Sequence, residues 1–245
     1  MFKKICLIIL LTILGFSFYK NRDVFRVETI EISNATEYDL NEDNLKLESY
    51  YQKQFSEYKK ELNYLQNIFM WDLPLKKITE LSSKPNWVDD VRVIRHWPNK
   101  LELKIKTKIL GCLLVNGNGK IIPVAKDGTL LPQITMQEAP SLPFLRGLEL
   151  NKNMELRKKA VDFISQLSDE GMFSKHQVVE IFYKETEGFI ATLDWKGLLV
   201  KLGYNPNSVT ISRLKQVLEY IKNKNISGKI VDANFSKRVL VKLQN

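Results

Sequence analysis

A chain that performs chemistry needs a nucleophile beside a base, a set of metal ligands, or a tuned pair of carboxylates. Few residues here offer one. Gly117-Asn118-Gly119-Lys120 shares part of a phosphate-binding loop. The full GxxxxGK[ST] spacing is missing, and strand-forming residues follow where a helix would be required. The same four residues form a strong hairpin turn. Asp89-Asp90 and Asp169-Glu170 are adjacent acidic pairs in predicted loops and read as solvated surface. His96 stands beside Trp97 and reads as a structural or surface residue, while His176 has no visible partner. Cys6 lies in an apolar run and Cys112 in a predicted strand, so no CxxC or Cys/His spacing exists for zinc. No serine occupies a GxSxG elbow. The sequence therefore predicts no enzyme, no cofactor and no metal, and points to a binding or scaffolding role.

The elements that would carry such a role must come from a chain of 245 residues, 44% hydrophobic and 27% charged. Those values exclude a disordered tail, a collagen and a disulfide-dense mini-domain, and allow one large or two small cores. A mean hydropathy of −0.22 excludes a polytopic membrane protein. The formal charge is +9, but three of those charges sit on Lys3, Lys4 and Lys20 with no acid among them. The remaining excess is spread thinly, unlike the dense basic stripe of a nucleic-acid binder.

Residues 5–19 carry no charge and are bracketed by Lys3-Lys4 and by Lys20, Arg22 and Asp23. Fifteen helical residues span only about 22 Å of a roughly 30 Å hydrocarbon core, and Phe2 with snorkelling lysines can extend the reach. The rival is a cleaved leader. It would need small residues before the cut, whereas the run ends Gly15-Phe16-Ser17-Phe18-Tyr19. An uncleaved anchor is the reading adopted. The flanking charges do not set its orientation.

Residues 24–32 read as a strand beginning almost at the membrane. Leu47, Tyr51, Phe55, Tyr58, Leu62, Leu65 and Phe69 follow at steps of three and four, a helical stripe. It suits either a coiled coil with a partner or one helix packed on its own sheet, and three heptads favour the second. Pro74 opens a short helix to about Leu81. Val91, Val93 and Arg95 alternate with Arg92, Ile94 and His96. After a Trp97-Pro98-Asn99-Lys100 turn, Leu101, Leu103 and Ile105 alternate with Glu102, Lys104 and Lys106, giving a hairpin with one wet face. The order so far is β-α-α-β-β.

From Ile109 the pattern is mostly β, with a 116–119 hairpin turn, an Asp127-Gly128 turn and an irregular stretch over 132–143. A helix is predicted over 154–167 and three meander strands near 178–183, 189–193 and 198–202. Ser208 is the predicted N-cap of a last helix with Leu214, Val217, Leu218 and Ile221 on its face. Two final strands are expected over 229–235 and 238–243. The predicted architecture is α+β: a single N-terminal membrane helix, a first domain, and a mostly antiparallel β domain with two helices.

The order and spacing of these motifs resemble the FtsQ/DivIB family of bacterial cell-division proteins. The resemblance rests on Phe25-Arg26-Val27-Glu28-Thr29-Ile30-Glu31-Ile32 with Asn34, and on Trp87-Val88 followed by Val91, Val93 and Arg95-His96-Trp97-Pro98-Asn99-Lys100-Leu101. It continues through Lys126-Asp127-Gly128-Thr129-Leu130, Leu142-Pro143-Phe144-Leu145-Arg146-Gly147, the hairpin over 193–203, Arg213-Leu214 and Val231-Asp232-Ala233-Asn234-Phe235. Asn86 replaces the proline of the family's PWV, Asn234 the arginine of its last motif, and Lys106-Thr107-Lys108 an acidic and proline-containing step.

The resemblance implies a cytoplasmic tail and anchor over 1–23, a POTRA domain over 24–107 and an FtsQ-type β domain over 108–245. It also implies a single-pass protein of the cell inner (cytoplasmic) membrane, with the N-terminus in the cytoplasm and the bulk outside. Such a protein would act as a divisome scaffold during septum formation, without catalysis, and bind FtsB and FtsL. The FtsB strand would add along Phe235, Ser236, Lys237, Arg238, Val239, Leu240 and Val241. The motif residues Trp87, Arg95, Trp97, Pro98 and Asp232 carry structural expectations. Trp97 should be core beneath its turn, Pro98 should set that turn, and Asp232 should tie its loop to a neighbouring backbone amide. Val239, Val241 and Leu243 should share one face of the last strand and Arg238, Leu240 and Lys242 the other. The rival function is a POTRA-containing envelope assembly or chaperone-like module that receives nascent strands.

Overall fold

A computed structural model of the chain describes residues 16, 19–36, 42–226, 228–234 and 239–243. The chain divides into two compact units, one built from residues up to 39 and 51–107, the other from 40–50 and 108 onward. No helix among the described residues is long and apolar enough to cross a membrane. Most of the anchor expected over 1–23 lies outside the described residues.

The first unit holds a three-stranded sheet of β1 (Thr29–Asn34), β2 (Val88–His96) and β3 (Lys100–Thr107), in the order β1-β3-β2. β1 runs parallel to β3 and β2 antiparallel to it. Central β3 alternates as its sequence demands. Leu101, Leu103 and Ile105 are completely buried, whereas Lys104 and Lys106 face water. The helices between β1 and β2 are α1 (Glu42–Glu61), which tightens into a 3-10 turn over Leu62–Leu65, and α2 (Leu75–Ser82). The predicted stripe is the buried side of α1 and that turn as far as Leu65: Leu47, Tyr51, Phe55, Tyr58, Leu62 and Leu65 are all buried, whereas Phe69, its last member, lies past the turn in the loop before α2 and is half-buried. Within this unit Trp87, 5% exposed, lies 5.6 Å from the Phe55 ring and edge-on to Tyr58 at 6.2 Å. The Tyr58 hydroxyl donates to Ser82 Oγ at 2.8 Å, which satisfies two buried polar groups at once.

Two expectations fail here. Residues 24–28 are not strand. Arg22–Phe25 form a 3-10 turn, and residues 26–27 pair with the loop at 67–69 through an Arg26–Phe69 bridge and the Val27 N–H to Ile68 carbonyl bond. The strand begins only where the register with β3 begins, at Thr29. Trp97 is not core: it is 56% exposed. It falls in the turn past the last β2–β3 pair, His96 with Lys100, where strand alternation no longer decides which way a side chain points. Pro98 sits exposed in the same turn.

The second unit is built on an eight-stranded sheet: β4 (Leu110–Val115), β5 (Ile121–Ala125), β6 (Phe144–Arg146), β7 (Val178–Lys184), β8 (Gly188–Leu193), β9 (Leu199–Gly203), β10 (Gly228–Asp232) and β11 (Leu240–Leu243). Their order is β11-β10-β9-β8-β7-β6-β4-β5. β4–β6, β6–β7 and β9–β10 are parallel and the other pairs antiparallel. β8 is buried on both faces, which explains its near-continuous apolar run. Helices α3 (Leu148–Lys152), α4 (Met154–Ser165) and α5 (Ser208–Asn223) belong to this unit. Ala160, Val161, Phe163 and Ile164 of α4 and Ile211, Leu214, Leu218 and Ile221 of α5 enter one core with Cys112, Ile181, Phe189 and Val200. The short α3 was not foreseen. Asn207, not Ser208, caps α5, its Oδ1 accepting from Thr210 N at 3.0 Å. The same type of cap at Asn153 opens α4.

Candidate functional site

The last two strands form the outer margin of the eight-stranded sheet. β10 lies parallel to β9, with Ile230, Val231 and Asp232 opposite Leu199, Val200 and Lys201. β11 lies antiparallel to β10, with Asp232 opposite Leu240 and Val231 opposite Val241. Among the described residues no strand lies beyond β11. Val239 and Val241 pack against the core, whereas Lys242 is exposed and Leu240 is 45% exposed. The two-faced reading of this strand therefore matches at 239–242. Phe235, Ser236, Lys237 and Arg238 lie outside the described residues.

The chain is led to this margin by a tight junction at the β9 terminus. Gly203 has φ +77°, and a Cβ there would collide with the Asn234 side chain. Asp232 Oδ1 accepts from Asn234 N at 3.0 Å, and Ala233 N donates to Lys201 O at 2.9 Å. Asp232 thus ties its loop to a neighbouring amide, as its sequence position suggested. Nearby, Lys201 pairs with Glu187. That contact raises the Lys201 ammonium above its ordinary pKa and lowers the Glu187 carboxyl.

The opposite margin of the sheet is closed. Residues 129–134 fold back along β5: Ala125 N donates to Thr129 O, Leu131 N to Pro123 O and Ile134 N to Ile121 O. Pro123 within β5 has no amide hydrogen to offer a further strand. An exposed sheet margin is a template for strand addition. Among the described residues β11 is the margin of this sheet left unpaired, and Leu240 is its exposed apolar side chain.

A second polar constellation occupies the wet face of the three-stranded sheet. Glu102 on β3 accepts from Ser33 Oγ at 3.1 Å through Oε1 and pairs with His96 Nε2 at 2.6 Å through Oε2. The hydrogen bond from His96 chiefly holds the Glu102 carboxyl below its usual range, with Ser33 and Lys104 adding to it. Serine, carboxylate and histidine are present, but the carboxylate stands between the other two. A catalytic triad needs the histidine in the middle, taking the serine proton. This group instead clips the neighbouring strands together. The sequence alone concealed it, because Ser33 meets Glu102 only through the parallel β1–β3 register. Arg95 reaches Leu73 O with Nη2 at 3.0 Å while its buried Nε has no hydrogen-bond partner, a structural placement in the first unit. The acidic pairs are surface. Asp89 meets Lys106 at 2.8 Å, Asp90 approaches Arg92 at 3.8 Å and Asp169 meets Lys175 at 2.9 Å. Gly117 and Gly119 form the five-residue β4–β5 hairpin loop, where Asn116 Oδ1 accepts from the amides of Asn118 and Lys120.

The chain thus combines a β-α-α-β-β unit with a second unit built on an eight-stranded mixed sheet whose β11 margin is unpaired among the described residues. The chain is similar to three curated proteins, each a cell division protein FtsQ. That of Geobacter sp. (strain M21) is 23% identical over 186 residues, covering 71% of this chain and 65% of the relative. That of Geotalea daltonii is 23% identical over 180 residues, with the same coverage. That of Syntrophotalea carbinolica is 21% identical over 184 residues, covering 72% and 64%. The matches thus span slightly less than two thirds of the length of these relatives. No protein-family model matches the chain. The three relatives support the FtsQ family for this chain.

Proposed function

We propose that the protein is a cell-division protein of the FtsQ type: a non-enzymatic scaffold, anchored in the cytoplasmic membrane by residues 5–19, with its bulk on the far side. Its first unit serves as the POTRA domain and its second as the β domain. The second unit binds FtsB, in company with FtsL, by strand addition along 235–241. The observation that carries this reading is the asymmetry of the eight-stranded sheet. β5 is sealed by residues 129–134, while β11 is unpaired on its outer side among the described residues and presents Leu240 to solvent. Main-chain hydrogen bonds to an incoming strand would supply affinity, and Leu240 with Phe235 the apolar anchor. Arg238 and Lys242 would set register against acidic residues of the partner.

The test is capture of FtsB by the full chain carrying Phe235→Ala with Leu240→Glu, with circular dichroism to verify the fold. Loss of capture by a folded double variant is the expected result. Wild-type capture by that variant would remove β11 from the interface and turn attention to the three-stranded sheet. Affinity capture from crosslinked cells should independently enrich FtsB and FtsL.

A further inference from the structure

Four aromatic rings from three separate segments of the first unit converge. Phe25 closes the 3-10 turn, Phe69 and Trp71 come from the loop before α2, and Trp97 from the β2–β3 turn. Phe25 lies 5.8 Å from Trp71 and 6.0 Å from Trp97, and Phe69 stacks on Trp71 at 4.9 Å. The Arg26 guanidinium lies 4.0 Å above the Phe69 ring, held by Asp23 at 2.7 Å and the Asn67 carbonyl at 2.6 Å. Arg22 lies 4.8 Å over Tyr19 and 5.9 Å from the Phe69 centroid.

This cluster is not core. Trp71 is 44% and Trp97 56% exposed, and Tyr19 and Val24 are exposed beside them. Two indoles presented together to water make an apolar surface that a water-soluble face does not ordinarily keep. An indole has an apolar body and one N–H that needs a polar partner, so its preferred surroundings are the headgroup and glycerol layer of a bilayer, where arginine meets phosphate. Chain reach supplies the occupant. The uncharged run ends at Tyr19, and Phe25 follows six residues later. Six residues span at most about 20 Å, so a bilayer that holds the run brings its headgroup layer within reach of the cluster.

We propose that the aromatic–arginine cluster of Phe25, Arg26, Phe69, Trp71 and Trp97 docks the first unit onto the phospholipid surface, so that the unit lies against the membrane rather than swinging on a tether. This rests on the reading of residues 5–19 as a membrane anchor. The four tryptophans make it testable, because Trp87 is buried and Trp195 lies in the second unit. The full chain is reconstituted into vesicles of phosphatidylcholine and phosphatidylglycerol whose acyl chains are brominated near the carbonyl end or near the methyl end. Trp71 and Trp97 should be quenched several-fold more by the shallow bromines than by the deep ones. Vesicle binding should also shield both from aqueous acrylamide. In the Trp71→Phe/Trp97→Phe variant the shallow quenching should fall to the background of Trp87 and Trp195. Co-flotation with vesicles without bromine quenching, and with acrylamide access unchanged, overturns the docking while leaving the anchor in place. Failure to co-float overturns both.

Discussion

Arg157 carries a charge into the second unit, only 6% exposed, and among the described residues no acid forms a salt bridge with it. Its Nε donates to Gly128 O at 2.7 Å and its Nη1 to Leu150 O at 2.9 Å and Asn151 O at 3.1 Å. One guanidinium thus serves the Asp127-Gly128 turn and the end of α3 together. Arg157→Ala should cost about 2–4 kcal/mol, because the carbonyls it leaves lose their donor; urea denaturation reads this directly. The two tryptophans of the first unit's sequence motif should behave oppositely. Trp87→Ala should destabilise by roughly 3–5 kcal/mol as a core truncation, whereas Trp97→Ala should cost under about 1 kcal/mol as a surface change. Equal effects in thermal melts would contradict their burial. Glu102 sets an acid limit. Its folded pKa lies below its unfolded value, so the clip to His96 and Ser33 stabilises above the ordinary glutamate range and is lost as pH falls through the lower folded pKa. Glu102→Gln should flatten the stability profile below about pH 4.3.

At the scale of elements, local periodicity was informative wherever one face of an element is buried. The alternation of β3, the stripe on α1, the α4 and α5 faces and the 116–120 hairpin could all be read from residue spacing. What escaped was set by distant partners. Residues 24–28 have strand-like composition but find their hydrogen bonds in the 67–69 loop. Trp97 has a core residue's chemistry in a turn. The cap of α5 fell to Asn207 because its carbonyl, one residue before Ser208, was placed to meet the Thr210 amide. The Glu102 clip and the closing of β5 depend on register between segments far apart in sequence, which no local window contains. The candidate margin at β11 was foreseen as a two-faced strand, but the sealed β5 that singles it out in its sheet was not. Gly203→Ala tests the junction that aims this margin. The methyl group meets the Asn234 side chain at a positive φ, so the variant should lose at least about 1 kcal/mol of stability. It should also weaken FtsB capture more than Gly117→Ala, where a Cβ meets open space.

For the whole molecule, the division into units does not follow the linear chain. Residues 40–50 group with the second unit, where the Tyr50 hydroxyl donates to Pro132 O at 3.1 Å and burial raises the Tyr50 phenol well above its ordinary range. A fragment beginning at Lys108 would lack Leu47 and Tyr50. The amides of residues 129–134, which include the Pro132 segment that Tyr50 bonds, should then exchange hydrogen faster than in the full chain, a difference mass spectrometry resolves. The unequal margins of the eight-stranded sheet also govern stoichiometry. A sheet open at both margins can polymerise, each copy adding to the next without limit. Here residues 129–134 shut one end, so a copy that engages β11 finds no β5 margin from which the same sheet can continue. Association through this sheet therefore terminates, either with one foreign strand or as a closed β11-to-β11 pair. A β11 margin open among the described residues thus carries no route to a fibre through the far side of its own sheet.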